Sequence, residues 1–163
     1  MLKDLFKARL TALVILTTAM GFHLANRGPT DWLLFFHAVL GTALLAAGAA
    51  ALNEYIERDL DARMPRTAKR PLPAGELQPD TALALGVGTA VLGMLDLAWF
   101  VNPLTAFLGM VTLASYVFVY TPLKTVTTLN TLVGAVPGAV PPLMGWAAAT
   151  NSLDAGGWVL FAI

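Results

Sequence analysis

Across 163 residues the chain is 57% hydrophobic and 12% charged, with ten Lys or Arg balanced by ten Asp or Glu. Soluble domains are about 45–50% apolar and about 25% charged, so this composition excludes a water-soluble globule. The lack of a basic excess argues against a nucleic-acid partner. With no cysteine, disulfides, thiolate metal sites and thiol nucleophiles are excluded as well.

In chain order, apolar stretches run over Leu10–Ala25, Leu33–Ile56, Thr81–Phe100, Leu104–Tyr120 and Asn130–Ala149, and a sixth begins at Trp158. A membrane-spanning helix needs about 20 apolar residues. The pattern therefore predicts an all-α, polytopic transmembrane helix bundle with five spans and the start of a sixth, and residues 1–163 form one membrane domain. Lys3, Lys7 and Arg9 before the first stretch imitate a signal peptide, but four further spans favour a retained first helix.

The basic residues set an expected orientation. Lys3, Lys7 and Arg9 precede the first span; Arg58, Arg63, Arg66, Lys69 and Arg70 follow the second; Lys124 follows the fourth, and Arg27 alone lies in an odd-numbered loop. The positive-inside rule then places the N-terminus and a loop of about residues 58–80 in the cytoplasm, with the protein multi-pass in the cell's inner (plasma) membrane.

Charge gathers where the second span ends, in the run NEYIERDLDARMPRTAKRPL from Asn53 to Leu72. Asn53, Glu57 and Asp61 recur at i, i+4 and i+8 and so share one helix face, whereas Asp59 points elsewhere. Ionisable groups at membrane depth cost about 2.5–3.5 kcal/mol each at a helix centre and mark functional sites. Two carboxylates in register need a cation. A pair of carboxylates plus phosphate oxygens suits magnesium, which keeps several waters, and Arg63, Arg66, Lys69 and Arg70 form a basic rim suited to a phosphate ligand. An ordinary positive-inside loop, whose acids neutralise its arginines, explains the basic residues but not the aligned Asn and carboxylates.

Other features favour packing over chemistry. His23 and His37 read as lone packing or interfacial histidines, and Asp96 as an interfacial carboxylate. Gly86, Gly88 and Gly93 lie inside a hydrophobic span with no preceding strand, which favours helix contacts over a nucleotide loop. Gly134 and Gly138 read as another close contact, and Pro137, Pro141 and Pro142 as a kink or a cavity wall. Trp32, Trp99, Trp146 and Trp158 fall near span ends, as interfacial anchors do.

The motif residues also carry a resemblance. Asn53 to Asp61 is similar to N-x-Y-I-D-R-D-I-D, and Arg66-Thr67 with Arg70-Pro71-Leu72 to R-T-x-x-R-P-L, of the UbiA-type intramembrane prenyltransferases. Tyr120 to Lys124 resembles Y-T-x-x-L-K, and Gly138 to Trp146 resembles the G-A-x-P-P-x-x-G-W segment of the haem O synthase (protohaem IX farnesyltransferase) family within them. Glu57 replaces the usual Asp, and Ala8 stands where Pro often follows the N-terminal Lys.

The resemblance implies a bundle of about nine helices with a second aspartate-rich motif later in the chain. The 163 residues then read as the N-terminal half, expected to be inactive alone. It further implies transfer of a farnesyl group from farnesyl diphosphate to a vinyl group of haem B, giving haem O. On the same resemblance, Asn53, Glu57 and Asp61 are expected to be the catalytic and Mg2+-binding residues, and Arg66, Arg70, Lys124 and Tyr120 to be diphosphate contacts. Haem A synthase or oxidase assembly proteins are the implied partners beyond substrates and lipid. Two alternatives stay open: another UbiA-type enzyme acting on a quinone or lipid, and a non-catalytic short membrane scaffold subunit.

Overall fold

A computed structural model describes residues 2–124, 127 and 129–163, without the side chains of Leu2 and Lys3. Lys3, counted above among the basic residues of the N-terminus, thus has its side chain outside the described residues. After a helical turn, Leu2–Leu5, the chain forms α1 (Ala8–Ala25), α2 (Trp32–Asp61), α3 (Pro79–Val101), α4 (Pro103–Leu123), α5 (Asn130–Thr150) and α6 (Ala155–Ala162). The first five are long and apolar enough to cross a membrane. The described residues contain no strand, and the expected all-α bundle and its five spans are present.

Caps explain where the helices begin. Asp31 accepts hydrogen bonds from the Leu33 and Leu34 amides at 3.0 Å and starts α2 slightly ahead of the apolar run. Asn102 caps α4 by accepting from the Thr105 amide at 2.8 Å, with Pro103 in the first turn where its missing N–H costs nothing. The Asn102 amide also donates to the Ala147 carbonyl at 3.0 Å, tying the α3–α4 turn to α5.

The helices approach through small residues, as expected where lipid supplies no hydrophobic driving force between spans. Along α2 and α3, a Cβ on Gly48 would meet the Gly86 carbonyl at 2.7 Å, and one on Gly93 would meet the Gly41 carbonyl at 2.7 Å. Where α1 crosses α5, a Cβ on Gly21 would lie 2.0 Å from the Pro142 carbonyl oxygen, and one on Gly145 would lie 2.0 Å from that of Thr18. Gly86 and Gly93 thus serve as helix contacts, whereas Gly88 and Gly138 face open space. Between these pairs lies a core of Leu45, Leu97, Leu108, Leu143, Met144 and Ala147.

Length decides where the polar ladder sits. The 30 residues of α2 rise about 45 Å, roughly 15 Å more than the hydrocarbon layer. If Trp32 starts near one interface, Asn53 to Asp61 reach the other. Three details depart from expectation. Asp96 is not a plain interfacial carboxylate, because its Oδ1 lies 2.8 Å from His37 Nδ1 on α2, while His37 stacks on Phe100. His37 is therefore not a lone histidine, whereas His23 is exposed and takes no part in that pair. Trp146 packs against Gly156 and Gly157 of α6, whereas Trp32, Trp99 and Trp158 are exposed.

The α1–α5 crossing depends on the missing side chain at its centre. Gly145→Ala is expected to lower stability by about 1–3 kcal/mol through overpacking, seen as a lower thermal midpoint in detergent. Gly88→Ala, with open space around it, should leave the midpoint within about 0.5 kcal/mol.

Candidate functional site

The shared face of Asn53, Glu57 and Asp61 is met by three cations from three separate segments. Lys7 Nζ donates to Asn53 Oδ1, Lys124 Nζ donates to Glu57 Oε1 at 2.8 Å, and Arg70 donates through a terminal guanidinium nitrogen to Asp61 Oδ2. Asn53 is fully buried and Asp61 almost so, while Glu57 is half-buried. Removing such groups from water is costly unless they are paired, and each has its own partner. Asn53 also donates to Thr121 Oγ1 at 3.1 Å, and the Tyr116 hydroxyl lies 3.5 Å from Asn53 Oδ1.

Each cation arrives by a different local device. Lys7 sits in the turn between Leu2–Leu5 and α1 with φ 45°, a left-handed conformation that costs an L-residue about 1–2 kcal/mol. Leu5, beside it, is fully buried with Ala51, Leu72 and Ala82 and anchors the segment. Arg70 lies in the loop after α2, which is pinned at two points: the Thr67 hydroxyl donates to the Asp61 carbonyl at 3.0 Å, and the Leu72 amide donates to buried Glu54 Oε1 at 3.3 Å. Lys124 closes α4, its ammonium 4.7 Å from the Tyr120 ring centre.

Of the residues expected at the site, Asn53, Glu57, Asp61, Arg70, Lys124 and Tyr120 are brought together. Arg66 is not: its side chain is exposed and makes no polar contact among the described residues. Asp59 is exposed and lies beside Arg58, off the ladder's face as expected. Sequence reasoning missed Lys7, Glu54 and Tyr116. The signal for Lys7 was its place among the basic residues before the first span, which the positive-inside rule absorbed. Tyr116 shared the face of Tyr120 at i, i+4, inside an apolar run.

Beneath the ladder opens a cavity of about 290 Å³. Tyr116 and Tyr120 line it near the charged end; Leu45, Gly109 and Met144 line its apolar interior, and Gly134, Pro137, Gly138 and Pro141 of α5 form one wall. Pro137 and Pro141 thus serve as cavity wall, whereas Pro142 packs at the α1 crossing. The result is an apolar chamber joined to the charged ladder through Tyr116, whose hydroxyl lies near Asn53, and Tyr120, whose ring lies under Lys124.

Residues 14–163 match the UbiA prenyltransferase family. The chain belongs to that family. It is 54% identical to a protohaem IX farnesyltransferase of Anaeromyxobacter sp. (strain Fw109-5), covering 99% of this chain and 55% of that protein. It is 45% identical to that of Solibacter usitatus (strain Ellin6076), covering 98% and 58%, and 47% identical to the human mitochondrial protein of that name, covering 99% and 36%. The chain therefore spans between about a third and three-fifths of the length of these curated relatives. No solved structure matches it. With five apolar helices and this family, it is a multi-pass membrane protein.

Burial, reinforced by the charges of Arg70 and Lys124, lowers the Lys7 ammonium from its usual 10.5 to about 8, against the opposing pull of Glu57 and Asp61. Because the folded value lies below the unfolded one, a charged Lys7 disfavours the fold at pH below about 8. That penalty lifts as pH rises from about 8 toward 10.5. Competitive acylation of Lys7 in the folded protein should show a midpoint near 8; a midpoint of an ordinary solvated lysine would contradict the buried placement.

Proposed function

We propose that the chain carries the first half of the active site of a haem O synthase, which transfers the farnesyl group of farnesyl diphosphate to a vinyl group of haem B. The observation that supports this most is the convergence of Lys7, Arg70 and Lys124 on the Asn53, Glu57, Asp61 face, which Tyr116 and Tyr120 connect to an apolar cavity. The names of the relatives point to the same reaction. On this reading the diphosphate lies among the three cations and the isoprenoid tail runs into the cavity.

The donor set also fits magnesium. Two carboxylates and an amide oxygen on one face are hard oxygen ligands of the kind that ion takes together with phosphate oxygens. Among the described residues no group of three or more His, Cys, Asp or Glu stands together, so Glu57, Asp61 and Asn53 would supply only part of its shell. When bound, Mg2+ would neutralise diphosphate charge. Binding would also release Lys124 and Arg70 from Glu57 and Asp61, leaving both cations free for phosphate oxygens.

The chemistry starts with cleavage of the C1–O bond of farnesyl diphosphate. The electron pair leaves with the diphosphate, whose growing negative charge Lys7, Arg70 and Lys124 stabilise in place. The allylic cation then takes the π electrons of the haem vinyl group to form the new C–C bond. Water adds its oxygen to the resulting cation and loses a proton, which leaves the hydroxyl of haem O. Arg66, exposed on the same loop, is not drawn onto the ladder. The site faces the cytoplasmic leaflet of the inner membrane in this reading, and haem A synthase or oxidase assembly proteins are natural recipients of the product.

In the full-length protein, Asp61→Asn keeps the size of the side chain and removes one negative charge. Haem farnesylation should fall at least about a hundredfold, as when one preorganised electrostatic contact to a transition state is lost, and the magnesium requirement should rise. Unchanged haem O yield with unchanged magnesium dependence would refute the assigned role of the ladder.

A further inference from the structure

Glu54 has no part in the chemistry above, yet it follows Asn53 directly on α2 and is completely buried. Its Oε1 accepts from the Leu72 amide at 3.3 Å, while its Oε2 is buried with no hydrogen-bond partner among the described residues. The one bond made is long, and the oxygen left over is costly to keep out of water. On balance the side chain gives the fold little stability, so its use lies in what the bond holds.

What it holds is the segment that carries Arg70. Pro71 stands between Arg70 and Leu72, almost completely buried and with φ fixed by its ring. The chain then folds back on this segment: the Arg70 carbonyl accepts from the Ala74 amide at 2.9 Å, and the Pro71 carbonyl from the Glu76 amide at 2.9 Å. With so little freedom across Arg70-Pro71-Leu72, fixing the Leu72 amide fixes the direction in which Arg70 leaves the loop. Leu72 also shares an apolar cluster with Leu5, Ala51 and Ala82, and Leu5 precedes Lys7 by two residues. One buried carboxyl group thus bears on two of the three cations that meet the ladder.

We infer that Glu54 is a positioning residue for the diphosphate: its bond to the Leu72 amide aims Arg70 at the ladder and, through the cluster shared with Leu5, keeps Lys7 there. This rests on the proposed binding of a prenyl diphosphate. Glu54 touches neither substrate, so its effect passes through the cations and falls on one substrate alone.

The test uses the full-length protein with farnesyl diphosphate and haem B. Glu54→Gln keeps an oxygen for the Leu72 amide and should hold KM for farnesyl diphosphate within about threefold. Glu54→Leu removes that acceptor and should raise the same KM about tenfold or more, as when a charge-assisted contact to phosphate is lost. KM for haem B should stay within about threefold in both variants, and the thermal midpoint should change little. Adding Arg70→Gln to Glu54→Leu should raise KM by much less than the two separate effects multiplied, because both act on one contact. An unchanged KM for farnesyl diphosphate in the Leu variant, a Gln variant as impaired as Leu, fully multiplying effects, or a lowered midpoint with both KM values raised would overturn the positioning role. Absence of haem farnesylation by the unmodified full-length protein would instead overturn the underlying reaction, and this assignment with it.

Discussion

Two carboxylates and an amide on one helix face, taken out of water, must be answered by positive charge. That demand organises this structure. Asn53, Glu57 and Asp61 belong to α2, but Lys7, Arg70 and Lys124 come from the N-terminal turn, the loop after α2 and the end of α4. An unpartnered ion there would cost several kcal/mol, so pairing draws three segments distant in sequence to one point. Lys7 accepts a left-handed backbone to reach it. Glu54 and Thr67 hold the loop so that Arg70 faces inward.

The same arrangement creates a gradient of polarity. Small residues let α2 meet α3 and α1 meet α5 closely, while the stretch between α1, α2, α4 and α5 is left open as the cavity. Its apolar body meets the charged ladder only through Tyr116 and Tyr120. The ion pairs are also exchangeable: each cation held by a carboxylate in the protein is one that a phosphate group and a metal could redistribute between them. A site built from paired charges is ready for an anionic ligand without storing an isolated ion.

Much of this was legible in the sequence. Five apolar runs near the length of a bilayer gave the spans to within a few residues, and helical register put Asn53, Glu57 and Asp61 on one face and Asp59 off it. The rest depended on contacts that no local pattern encodes. Arg66 and Arg70 share a basic loop, and only the pins at Thr67 and Leu72 turn one outward and the other in. Lys7 carried the general signature of an N-terminus on the basic side of a membrane. The His37 and Asp96 pair spans α2 and α3, 59 residues apart in sequence, so each looked like a lone polar residue. Trp146 sits near the end of α5 but is covered by Gly156 and Gly157 of α6, which a search for interfacial anchors does not foresee.

The central claim is that the convergence on α2 is the seat of a diphosphate whose tail enters the cavity. A structure of the full-length protein bound to a non-hydrolysable thiolo analogue of farnesyl diphosphate tests it most directly. The account predicts the diphosphate among Lys7, Arg70 and Lys124, with the first isoprene unit against Tyr116 and Tyr120 and the tail directed toward Met144. An analogue seated elsewhere, with the two ion pairs of the ladder and the Lys7–Asn53 hydrogen bond intact, would contradict it.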